Sequence, residues 1–147
     1  MKHKVAKHNT LENQVKYVID FMRTHEWASP FALPLNLNKE LDKFTERYLF
    51  DSYIDLNYAY YNYKQGNYDE AKRRLGYSLI WKDEATDCSF IAGLNDFTTL
   101  LMKKTDEIFN NTIQEICSDE FSSKKISITE LESIKSNLKE IVEPHSA

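Results

Sequence analysis

The feature that most limits this chain is how rarely it can reverse direction. Its 147 residues hold three glycines and three prolines, and an all-β design, with a turn every few residues, needs many more such punctuators. Pro30 and Pro34 lie close together, and between Pro34 and Pro144 only Gly66, Gly76 and Gly93 interrupt the run. Leu, Glu, Lys, Asp, Asn and Tyr fill the intervals, with apolar positions at helical spacing. The expectation is an all-α fold, a bundle of five or six helices.

Local signals place the helices. Asn9 with Glu12 makes a capping box, followed by Leu11, Val15, Val18, Ile19 and Met22 in a first helix ending near Glu26. The stretch WASPFALPLNLN is broken by its prolines. Its Trp27, Phe31, Leu33, Leu35 and Leu37 either lid one end of the core or form an exposed apolar patch for a partner. Asn38 is expected to cap a long helix running to Gly66, with a bend or short break near Phe50 to Ser52. Asn67 caps the next, which carries Asp69 and Glu70 in its first turn and continues through Trp81 to a polar connection at Asp83 to Asp87. Leu94, Phe97, Leu101, Ile108, Phe109, Ile113 and Ile116 mark another helix. After a serine-rich loop, the Ser127 and Glu130 capping box opens a last one that Pro144 stops. Only Leu33 to Leu37 has any strand character. The organisation is a flexible basic tail over 1–8, a single helical domain over 9–143 and a C-terminal tail over 144–147.

The formal net charge of −4 argues against a general nucleic-acid or membrane binder, which needs a basic surface. Residues 1–50 carry eight Lys/Arg against six Asp/Glu, and residues 51–147 eleven against seventeen, so the asymmetry is mild. No signal peptide or membrane span is expected, because Glu12, Lys16, Asp20 and Arg23 interrupt the first apolar stretch. Cys88 and Cys117 are far apart and without zinc-like neighbours, which suits reduced thiols in a cytoplasmic protein.

The stretch YYNYKQGNYDEAKRRL, from Tyr60 to Leu75, gathers four tyrosines around one glycine. Gly66 can adopt positive φ at a helix end, Tyr68 can pack into the corner, and Ala59, Ala71 and Ser78 are small enough for two helices to cross closely. Residues 52–79 resemble one tetratricopeptide repeat, a helix-turn-helix unit. The match lies in Ala59, in the KQGNYDEA turn from Lys64 to Ala71, and in Leu75, Ser78 and Leu79. Asp55 stands where such repeats carry a large aromatic, no proline closes the unit near Asp83, and Gly76 interrupts the second helix. No second copy is found at Asn95 to Thr112, so neighbouring helices must supply the missing layers. The resemblance implies that the first helix lines a groove for a partner protein, with Tyr53, Asn57, Tyr60, Tyr61 and Lys64 facing it. The alternative is that these tyrosines fill the interior; Tyr58, Tyr60, Tyr61 and Tyr63 point in several directions, so at least one or two are exposed.

Other signals are weaker. Lys72, Arg73 and Arg74 could form a nucleic-acid ridge with stacking tyrosines, or a solvated face paired with Asp69 and Glu70. Glu46, Asp51 and Asp55 share part of a helix, but the Glu-x-x-His of carboxylate metal sites is missing. His3, His8, His25 and His145 lie in or near termini and loops. No phosphate-cradling loop, activated nucleophile or metal pattern occurs, so neither enzyme activity, a cofactor nor a metal is expected. The leading expectation is a protein-binding module that regulates or inhibits its partner, as inhibitor and immunity proteins do. A nucleic-acid regulator using the basic ridge and a homodimeric structural protein are the alternatives.

Overall fold

The computed structural model describes residues 10–24, 41–118 and 126–146. The expected tail over 1–8, Asn9, the Trp27 to Leu37 stretch, Asn38 and residues 119–125 lie outside them. The described chain is all-α. Five helices make it: α1 (Leu11–Thr24), α2 (Lys43–Lys64), α3 (Tyr68–Ala92), α4 (Asp96–Ile116) and α5 (Ile128–Ser146). Two-residue strands, β1 (Cys117–Ser118) and β2 (Ile126–Ser127), pair in parallel between α4 and α5.

Three of the helix starts are capped by a side chain. The Thr10 hydroxyl accepts the Asn13 N–H at 3.2 Å, satisfying one of the orphan donors of the first turn of α1. Asp42, rather than Asn38, caps α2, its carboxylate accepting from the backbone of Phe44 at 3.0 Å and Thr45 at 3.2 Å. Asn95 caps α4 by accepting from Thr98 at 2.7 Å. Asn67 holds the cap position of α3 but makes no side-chain cap bond; its amide reaches Asn62 at 3.4 Å instead.

The reversal at Gly66 is built by backbone bonds. With φ at +80°, Gly66 donates to the Tyr63 carbonyl at 3.1 Å, and the Asn67 N–H reaches the Asn62 carbonyl at 2.8 Å. That pair of bonds is the Schellman closure, which needs a residue tolerant of positive φ at its centre. Ala59 and Ala71 are fully buried, so α2 and α3 pack as an antiparallel hairpin, and farther along Tyr48 stacks on Trp81 with centroids 5.7 Å apart.

Three expectations are corrected. There is no break near Phe50 to Ser52: α2 is one helix there, and the Ser52 hydroxyl donates to the Leu49 carbonyl at 2.6 Å. Asp83 to Asp87 is not a connection but part of α3, which ends only at Gly93 with φ +92°. Asp83 meets Lys135 of α5 at 2.8 Å, and Lys82 just before it meets Asp106 of α4 at 2.6 Å. Finally, α5 continues to Ser146, past Pro144.

The core joins Val15, Val18, Ile19 and Met22 of α1, Leu49, Phe50, Tyr53 and Leu56 of α2, and Phe97, Leu101 and Phe109 of α4. Here α2 is the shared wall. One side faces α3, and the other faces α1 and α4.

Candidate functional site

Where α1 ends, α2 and α4 leave a cleft between them. Arg23, Leu56, Asn57, Tyr60, Thr112 and Glu115 line it, enclosing about 340 Å³. Asn57 crosses to α1, donating its amide to the Arg23 carbonyl at 3.0 Å. Tyr60 crosses to α4, donating its hydroxyl to Glu115 at 2.9 Å. Lys64, one turn on, lies 3.7 Å from the same carboxylate and 5.1 Å from the Tyr60 ring centroid. A cation is attracted to an aromatic face, so ring, ammonium and carboxylate meet on the cleft rim.

Of the five residues expected to face a partner, the structure brings Tyr60 and Lys64 together at Glu115, while Asn57 lines the same cleft from the Arg23 side. Tyr61 projects separately and is 57 % exposed. Tyr53 is a correction. It is sealed in the core, its ring edge-on to Phe109 at 5.6 Å and its hydroxyl 2.8 Å from that of Thr105, and burial pushes its phenol well above the ordinary range. The reason is that α2 is buried on two sides, so a face pointing away from α3 meets α1 and α4 rather than water.

The basic ridge is engaged within the fold. Lys72 pairs with Glu130 of α5 and with Asp69 at 3.9 Å. Arg73 binds Glu70 at 2.7 Å, and Arg74 bridges Glu70 at 3.0 Å and Asp55 at 2.9 Å while lying over the Tyr58 ring. Each of the three cations thus meets a carboxylate inside the molecule, two of them on a different helix.

The carboxylates of α2 are also structural. Burial raises the Asp55 carboxyl, and the hydrogen bond from Arg74 draws it back. Asp51 is raised by burial and opposed by Arg47, 3.6 Å away. Glu46 is 5 % exposed, and burial pushes its carboxyl up to about 7. No cluster of metal-ligating side chains occurs among the described residues. Cys88 and Cys117 are not joined in a disulfide; Cys88 is half-buried and Cys117 buried.

Sequence reasoning does not find Arg23, Thr112 or Glu115, which come from helices far along the chain with no local motif. It also misses an apolar end. Phe90, Ile91 and Leu94 are exposed around the close of α3, where a second groove of about 390 Å³ is lined in part by Phe90, Leu94 and Met102. Phe44, on the first turn of α2, is likewise exposed. A run of such side chains is legible as apolar residues but not as a surface. No helix among the described residues is long and apolar enough to cross a membrane.

No family model matches the chain, and neither a curated protein nor a solved structure is significantly similar to it.

Proposed function

We propose that this chain is a non-enzymatic, cytoplasmic protein-binding module that holds another protein through the α1–α2–α4 cleft and so regulates or inhibits it. The observation that carries this is the rim at the end of α2. Tyr60 and Lys64 are fixed around Glu115, and Tyr61, the next residue of α2 after Tyr60, exposes a stiff ring. Aromatic side chains supply large contact area for little lost rotamer freedom and dominate binding energy at interfaces. A cleft already furnished with an amide, a phenol, a guanidinium and a carboxylate offers the few directed polar contacts that fix a bound segment. The hairpin closed at Gly66, which resembles a tetratricopeptide unit, supports the same reading.

The test is comparative affinity capture with mass spectrometry, using the wild type and Tyr61→Ala/Lys64→Ala. A partner recovered by the wild type and lost by a variant with an unchanged melting temperature supports the cleft. Equal recovery by both chains rejects it. A second reading is a homodimer through the apolar end, favoured by the exposed Phe90, Ile91, Leu94 and Phe44. Sedimentation over a concentration series decides it, with a mass independent of concentration at that of the monomer dismissing the dimer.

A further inference from the structure

Helix α5 lies on α3, away from the cleft. It contributes Leu131 to the core, while Ile134 and Leu138 are half-buried and the other described side chains between Thr129 and Glu140 are exposed apart from Lys135. Beneath it runs a stripe of α3 at helical spacing: Lys72, Gly76, Ile80 and Asp83. The two ends of the stripe are charged and opposite in sign. Lys72 pairs with Glu130, and Asp83 with Lys135 at 2.8 Å. Between them Gly76 is a notch, since a Cβ there would meet Leu138 at 3.0 Å and Ile134 at 3.2 Å. Ile80 is 3 % exposed yet stands apart from the main core cluster.

We infer that this stripe is a docking site for an amphipathic helix, occupied in cis by α5 and open to a partner helix of the same pattern when α5, Glu130 included, lifts from α3. The pattern required of the occupant follows from the site. A carboxylate must face Lys72, branched apolar residues must fill the notch at Gly76, and a cation must face Asp83. Cover and site are held together by solvent-touching ion pairs and a shallow apolar seam, the kind of contact that opens below the free energy of global unfolding. A site covered most of the time binds an outside helix more weakly, in proportion to the fraction open.

The experiment uses the full chain and a labelled synthetic peptide of residues 128–146, read by fluorescence anisotropy. Lys135→Glu/Leu138→Ser sets a carboxylate against Asp83 and empties the notch, so the peptide should bind this variant about tenfold or more tightly than it binds the wild type. Adding Gly76→Leu to that variant should abolish binding. Equal affinity for wild type and variant overturns the inference. Hydrogen exchange on the unaltered chain is an independent check that survives a misfolded variant: amides from Ile134 to Leu138 should exchange well ahead of those in α2 and α3. Protection equal to that of α2 overturns the inference. Neither readout involves Tyr61 or Lys64, so failure here and failure of the cleft are distinguishable.

Discussion

Tyr53 of α2 and Thr105 of α4 meet hydroxyl to hydroxyl at 2.8 Å, with both side chains fully shielded from water. Either oxygen can donate, so each satisfies the other, and the pair pins α2 to α4 beside the Tyr53–Phe109 ring contact. A buried hydroxyl left alone is costly, whereas a pair removed together is not.

That asymmetry gives the first prediction. Tyr53→Phe and Thr105→Val should each destabilise the chain by about 1–2 kcal/mol, because each strands one hydroxyl. The double variant should lose less than the sum, with a coupling of about 0.5–1.5 kcal/mol in a double-mutant cycle. Urea denaturation with a common m-value measures it, and strict additivity would show that the two oxygens do not interact.

Gly66 tests the hairpin. Nothing lies within 4 Å of a Cβ built there, and its φ is +80°, so any effect of Gly66→Ala comes from the backbone alone. The left-handed conformation should cost Ala about 1–2 kcal/mol, while Gly66→Asn, which tolerates that region, should cost clearly less. Thermal denaturation of the two variants compares them, and equal melting temperatures would mean the turn does not depend on positive φ.

The hairpin is legible in the sequence because its cause is local: Gly66 and the small Ala59 and Ala71 lie within a dozen residues of each other. The fate of each tyrosine is not. Tyr53, Tyr60 and Tyr61 share one helix, and periodicity gives their relative angles, yet it cannot say that α2 is covered on two sides. The covering residues, Thr105 and Glu115, arrive from a helix some 50 positions later. Asp83 to Asp87 misleads for a related reason. Its polarity imitates a loop, although no glycine or proline breaks it and its Asp83 is answered by Lys135 of α5.

Glu46 should give stability an unusual pH dependence. Its carboxyl is raised from 4.5 to about 7 in the folded chain, so between those values the native state binds a proton that the unfolded state has released. Stability from this group is therefore full below about pH 4.5 and is lost as pH rises through 7, a change on the order of 3 kcal/mol. Glu46→Gln removes the charged form. The variant should match the wild type near pH 4.5 and exceed it at pH 8, when chemical denaturation midpoints are compared. Parallel pH profiles for the two chains would refute the assignment.

Removing Arg74 should push the Asp55 carboxyl further in the direction in which burial already moves it. Asp55 is 8 % exposed, and its carboxylate receives the Arg74 guanidinium at 2.9 Å, so Arg74→Met leaves a buried anion without its main partner. Breaking such a pair from one side costs about 3–5 kcal/mol, reduced here because Arg74 is partly solvated. Burial already raises the Asp55 carboxyl and the Arg74 hydrogen bond lowers it. In Arg74→Met the lowering disappears, and Asp55 takes up a proton at higher pH than in the wild type. The destabilisation should therefore be largest at pH 7 to 8 and shrink as pH falls, and Asp55→Asn introduced alongside Arg74→Met should recover part of it at neutral pH. Denaturant midpoints across pH 4 to 8 provide the measurement; a loss independent of pH would mean that Arg74 acts through its packing on Tyr58 rather than through its charge.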